Sequence, residues 1–267
     1  MPSKKIRNLD LVYDDIGAGP AIVFVHGHPF NRSMWKEQVS VLQNNYRLII
    51  PDLRGYGESK IQRTEVVLLD EIALDLCYLM DELKIERALL VGLSMGGQIV
   101  MDFCRLFTNR VAGLVLADTD ARAETEESYH KRLMLCERFK KDGMKKFTDE
   151  EMHKFISDFS YKNKPLVVNH LRSMMESTDA MAAAAVQRGR AERRDHIEFL
   201  SGVKIPVLVV VGTDDFFTPI STAQFMSDRI HGAELLIVDK AGHLPNIEQP
   251  EEFNKGLVDF IRRRVDF

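Results

Sequence analysis

The stretch Ala88–Val100, ALLVGLSMGGQIV, begins as an apolar run, breaks into glycines around a single serine, and resumes with the residue spacing of a helix. Gly92, Ser94 and Gly96 satisfy the pattern G-x-S-x-G in the setting that gives it meaning, a strand before and a helix after. A serine on so tight a turn has strained backbone dihedrals, and the residues two before and two after it must be tiny to avoid it. Gly97 adds room for the helix to pack on the strand. Such a turn aims the hydroxyl at solvent above a helix N-terminus, where free N–H groups and the helix dipole stabilise developing negative charge. The plainer reading is a glycine-rich packing turn with an incidental serine, so the test is whether partners for the serine exist elsewhere.

Outward from this stretch, six short β-branched and leucine-rich runs recur: Ala21 to Val25, Arg47 to Ile50, Ala88 to Val91, Leu114 to Ala117, Val207 to Val211 and Leu235 to Val238. They are continuously apolar, as strands covered on both faces of a parallel sheet should be. Between several of them lie helical patterns: Ile72, Leu76, Leu79 and Leu83, then Ile99, Val100, Phe103, Cys104 and Phe107, and at the C-terminus Phe253, Leu257, Phe260 and Ile261. Strand alternating with helix predicts a doubly wound α/β sheet. The rhythm fails once, between Ala117 and Val207, where runs such as MKKFTDEEMHKFISDF and MAAAAVQRGRAERR predict a helical insertion lying as a cap over the sheet. The expected division is residues 1–119 and 200–267 for the core and 120–199 for the cap. Six of the cap methionines, Met134, Met144, Met152, Met174, Met175 and Met181, are expected mainly to pack its helices to the sheet, the alternative being an adaptable apolar pocket.

The 267 residues are 45% hydrophobic, enough for a sizeable core, and the net charge of −4 from 36 basic and 40 acidic residues provides no field that would draw the molecule to nucleic acid or an anionic membrane. The local cluster of Arg188, Arg190, Arg193 and Arg194 is interleaved with Glu192 and Asp195 and reads as a solvated helix face. Cys77, Cys104 and Cys136 are odd in number and widely spaced, which argues for free thiols in a reducing compartment. No apolar run approaches a membrane span and none follows the basic N-terminal residues, so the expected location is cytoplasmic.

Each apolar run ends in polar or glycine-rich residues, HGHP, PDLRGYG, GLSMGG, DTD, GTDD and DKAGH. In open α/β sheets the site lies beyond the carboxyl ends of the strands, so these endings should converge. A serine hydroxyl needs a base and the base needs an orienting group. Of eight histidines, His243 stands directly after the last strand, while His26 and His28 on the first turn suggest a structural or oxyanion-loop role. For the acid, Asp215 follows the strand Val207 to Val211, with its neighbour Asp214 and Asp118 after the preceding strand as alternatives. Asp52 is expected to brace the DLRGYG loop. No His, Cys and Asp cluster has metal-ligand spacing and no phosphate- or dinucleotide-binding glycine fingerprint is present, so no cofactor and no metal are expected.

FVHGHP, PDLRGYGES, GLSMGG, AERRD, VVVGTDDFFTP and AGHLPNIEQPEEFN together resemble the α/β-hydrolase superfamily over nearly the whole length, in particular its small single-cap esterases and lactonases, among them the 3-oxoadipate enol-lactonase-like proteins and the cofactor-free haloperoxidase-like esterases. The resemblance implies a mostly parallel sheet with a helical cap inserted after the sixth strand, and a catalytic triad of Ser94, Asp215 and His243 in the chain order Ser, Asp, His. Among the acids it selects Asp215, three residues after Gly212 and four before Pro219. It implies an oxyanion hole from the backbone N–H groups of Met95 and His28, although relatives often carry a bulky aromatic where this chain has His28. Haloalkane dehalogenases and epoxide hydrolases share HGHP- and DLRGYG-like segments but place aspartate at the elbow, so Ser94 argues against both. The expected activity is hydrolysis of small carboxylic esters or lactones through an acyl-enzyme. Perhydrolysis, carbon–carbon bond hydrolysis by the same triad, and a small-molecule receptor with little turnover remain the alternatives. The expected partner is a small-molecule ester or lactone, with a homodimer left open.

Overall fold

A computed structural model describes residues 2–267 and contains one eight-stranded sheet with helices on both faces. The strands are β1 (Ser3–Ile6), β2 (Leu9–Ile16), β3 (Ala21–Val25), β4 (Arg47–Pro51), β5 (Ala88–Leu93), β6 (Val111–Ala117), β7 (Val207–Gly212) and β8 (Glu234–Val238). Their spatial order is β1-β2-β4-β3-β5-β6-β7-β8, antiparallel through the β1–β2 and β2–β4 pairs and parallel from there on. All six apolar runs are strands, and β3, β5, β6 and β7 are buried along their whole length, as continuous Val, Ile and Leu requires. The sequence reading omitted β1 and β2, and β8 is a half-buried edge strand. In β2, Leu9, Leu11 and Tyr13 face the core in alternation with more exposed neighbours, the pattern of an antiparallel strand with one wet face.

The register aligns the strand ends. Val25 pairs with Gly92, Leu93 with Ala117, Ala117 with Val210, and Gly212 with Val238. The segments that follow β3, β5, β6, β7 and β8 therefore emerge side by side, the predicted convergence for five of the six endings.

The helix Met95–Leu106 follows β5 and packs beside the helix Leu69–Glu82. After β6 the chain enters four helices, Glu126–Glu151, Asp158–Asn163, Pro165–Ser177 and Ala180–Ala191, before Ile197–Ser201 leads into β7. Their starts are written locally. The side chains of Thr125, Ser157 and Asp179 accept from the first free N–H groups of three of them, and Pro165 opens the fourth, where a missing N–H costs nothing. The longest helix is broken at Gly143, whose φ is +76°.

These helices and the connection between the first two bury Phe139, Phe147, Met152, Phe155, Leu171 and Met175 in one cluster with Phe30 and Trp35, so they share a core with the sheet. Met144, Met152, Met174 and Met175 are buried packing residues and Met134 is exposed; among the described residues none of the six methionines lines the main cavity. The three cysteines are free and buried. No helix among the described residues is long and apolar enough to cross a membrane.

Candidate active site

Ser94 sits between β5 and its helix with φ +56° and ψ −116°, a conformation that costs free energy in a non-glycine residue. The surroundings impose it. The Ser94 N–H donates to the Ala117 carbonyl at 2.8 Å, and the Thr119 hydroxyl donates to the Ser94 carbonyl at 2.7 Å. A Cβ on Gly92 would strike the Gly96 carbonyl, and one on Gly96 would strike the Val25 carbonyl, so the small residues at both positions are steric requirements of the turn.

His243 stands in the segment after β8 with its Nδ1 2.9 Å from each Asp215 oxygen. Asp215 also accepts the Phe217 N–H at 2.8 Å and the Thr218 hydroxyl. Burial alone would raise the Asp215 pKa. The neighbouring His243 and the hydrogen bonds from His243, Thr218 and Phe217 outweigh it and hold the carboxyl below its ordinary value. The rings of Phe217 and Phe155 flank His243 at 5.0 and 5.9 Å.

Glu248, fully buried, was not singled out from the sequence. It accepts the N–H groups of Ser157 and Gly242 at 2.9 Å and of Leu244 at 3.2 Å, tying the histidine segment to the start of the helix Asp158–Asn163. Its position in NIEQPEEFN carries no local signal for this, because one of its donors lies 91 residues away.

Asp118 occupies the place next to this pair, with φ +46°. Its Oδ1 accepts the Gly212 N–H at 2.9 Å, while Oδ2 is buried and has no partner among the described residues. Burial, then the charge of Asp215, raises its pKa well above the ordinary value, more than the Gly212 N–H lowers it. One oxygen each from Asp118 and Asp215 and a nitrogen of His243 lie within 4.8 Å of one another. Two carboxylates so close do not both ionise readily, and a neutral Asp118 beside an ionised Asp215 removes the conflict. Asp214, the third acid considered, lines a different surface depression with Phe216.

His26 and His28 flank the other side of Ser94. The Leu53 N–H donates to His26 Nε2 at 3.0 Å, so the ring proton is on Nδ1 and donates to the Gly27 carbonyl at 2.8 Å. His26 thus joins the segment after β3 to the loop after β4. Asp52 braces that loop as expected, accepting the N–H groups of Arg32 and Glu58 at 2.8 Å. His28 Nδ1 lies 2.8 Å from the Tyr56 hydroxyl and its ring packs on Phe139. Burial and then the charges of Arg190, Arg132 and His26 push its pKa well below the ordinary value, so the imidazole is neutral.

A cavity of about 780 Å³ is lined by Ser94, His243, His28, Asp118 and Gln98, with Phe147 and Phe155 from the segment between β6 and β7. Ser94 and His243 share its wall without a hydrogen bond between their side chains, a looseness common where no substrate is bound. Arg190 and Arg193 also line it, contrary to the reading of their cluster as a solvated face; Arg194 alone among the four is mostly exposed.

A serine at a strained strand-to-helix turn, sharing a cavity wall with a carboxylate-bound histidine, is the arrangement of an alpha/beta hydrolase, and the family profile described as "Alpha/beta hydrolase family" matches residues 22–255. The chain belongs to this family. It is 32% identical to 3-oxoadipate enol-lactonase 1 of Acinetobacter baylyi over 91% of its own length and 89% of that protein's. Among solved structures it is similar to a thermophilic esterase from Thermogutta terrifontis with malate bound, at 34% identity and a TM-score of 0.92, covering 96% of this chain and 94% of that one. It is likewise similar to the enol-lactonase from Burkholderia xenovorans, at 27% identity and a TM-score of 0.91, covering 98% and 100%.

Proposed function

We propose that the protein hydrolyses small carboxylic esters or lactones with Ser94 as nucleophile. The observation that carries this reading is the shared cavity wall: Ser94 at its strained turn and His243 with Nδ1 held by Asp215. Asp215 keeps the imidazole proton on Nδ1, leaving Nε2 free to take the serine proton as Oγ attacks the carbonyl carbon. The oxyanion that forms is received by the N–H groups of Met95, the first residue of its helix, and of His28. The tetrahedral intermediate collapses, His243 returns the proton to the leaving alkoxide, and Ser94 keeps the acyl group. Water then attacks in the same way and the acid leaves.

The experiment compares p-nitrophenyl acetate hydrolysis by the wild type and Ser94→Ala and locates the adduct of an organophosphonate by mass spectrometry. The wild type should show a burst of p-nitrophenol, stoichiometric labelling should fall on Ser94, and the variant should lose about 10³-fold or more in kcat, with what remains coming from oxyanion and substrate binding. Wild-type-like turnover in a clean Ser94→Ala preparation would sink the mechanism.

A further inference from the structure

Arg190 is the last arginine of the helix Ala180–Ala191, and it turns inward. Gly189 makes this fit: a Cβ there would strike the Val67 carbonyl, so the helix end lies directly on the backbone of the core. From that position Arg190 Nε donates to the Gln98 side-chain oxygen at 2.8 Å. Gln98 is one helical turn beyond Ser94, its N–H bonded to the Ser94 carbonyl, which puts its backbone about 6 Å along the helix axis from the nucleophile.

The other cations on the cavity wall are all answered by carboxylates. Glu124 pairs with both Arg132 and Arg193, and Arg122, Lys131, Arg138 and Lys154 each face an Asp or Glu. Arg190 has no carboxylate partner among the described residues, and its two terminal nitrogens, the fork that matches a carboxylate, have no hydrogen-bond acceptor. Burial and the nearby Arg132 charge disfavour its charged form, a cost that an arriving anion would offset.

We infer that Arg190 is a specificity-determining residue that receives an anionic group of the substrate, so that the preferred ester or lactone carries a carboxylate a few bonds from the carbonyl that Ser94 attacks. This rests on the hydrolase reading above. One unanswered positive charge matches one carboxylate, and the fork gives it two parallel charge-assisted hydrogen bonds. A dianion would find no second free cation on the same wall among the described residues.

The test compares kcat/KM for monomethyl glutarate and methyl pentanoate, which differ only in a carboxylate replacing a methyl group, in the wild type, Arg190→Met and Arg190→Lys. The wild type should favour the anionic ester by about 10- to 100-fold, the worth of a hydrogen bond to a charged group. Arg190→Met should abolish that ratio, and Arg190→Lys should retain part of it, having the charge without the fork. Equal losses on both esters would reduce Arg190 to a latch between cap and core and overturn the inference, as would a wild type that hydrolyses p-nitrophenyl acetate but does not discriminate. If the wild type hydrolyses no ester, the hydrolase reading fails separately, and calorimetric binding of glutarate decides the role of Arg190: affinity lost in Arg190→Met upholds it, and affinity unchanged or absent in both overturns it.

Discussion

Asp215 and Asp118 both end strands beside His243, and replacing each by asparagine separates their roles. The Asp215 carboxylate receives donors on both oxygens, the Phe217 N–H on Oδ1, the Thr218 hydroxyl on Oδ2 and His243 Nδ1 at 2.9 Å from each. An asparagine has one side-chain oxygen. The Phe217 N–H is a fixed donor and keeps that oxygen, whereas the Thr218 hydroxyl can rotate to accept from the new NH2 group. His243 then faces an amide donor, which favours the tautomer with its proton on Nε2, the atom that must take the serine proton. Holding the working tautomer against an unsatisfied buried donor costs about 1–3 kcal/mol, or about 5- to 150-fold. Loss of the buried negative charge opposite the developing imidazolium adds to this, so the total should be about 10³- to 10⁴-fold, the scale set by the same change in a serine protease triad.

Asp118 presents the opposite case. Burial and the Asp215 charge raise its pKa well above the ordinary value and so favour the protonated form, which asparagine resembles. Oδ1 can still accept from Gly212, and an N–H replaces the acid O–H. Asp118→Asn should cost ten-fold or less, on the order of a small packing adjustment. The assay is kcat/KM on p-nitrophenyl acetate with the thermal midpoint of each variant as a folding control. A crippled Asp118→Asn beside a nearly normal Asp215→Asn would refute the reasoning and transfer the orienting role to Asp118.

The same substitution has a pH signature in stability. The folded pKa of Asp118 is raised, so the folded state holds its proton where the unfolded chain has released it, and stability falls as pH rises from the unfolded carboxyl value of about 4 toward the folded one. Asp118→Asn removes that loss, so its thermal midpoint relative to the wild type should climb between pH 5 and pH 8, and a pH-independent difference in calorimetry would contradict the protonated assignment. Asp118, Asp215 and His243 could together offer ligands to a divalent cation, but the proposed triad chemistry needs none. Dialysis against EDTA should leave ester turnover unchanged, and a loss restored by zinc would overturn that part of the mechanism.

What could be read from the sequence follows from how each element is covered. Strands β3, β5, β6 and β7 announce themselves because burial on both faces permits only apolar residues, and the elbow because its geometry admits only glycine at Gly92 and Gly96. His243 and Asp215 stand in the segments after β8 and β7, where strand endings direct attention, although endings alone left Asp118 and Asp214 open beside Asp215. Strand β2 escaped because a single buried face leaves only Leu9, Leu11 and Tyr13 to mark it, and Glu248 because one of its three donors, Ser157, lies 91 residues away.

Arg190 escaped for another reason. Periodicity separates polar from apolar faces, and on an ordinary surface helix the polar face is the wet one. The helix Ala180–Ala191 is buried from Ala182 through Gln187, with a polar cavity at its end. Its arginines divide accordingly. Arg188 reaches outward to Glu192, and Arg190, two residues on, reaches inward to Gln98. The spacing is the same whether a cation meets bulk water or a substrate cavity, so its role becomes visible only when the partners on each side can be counted.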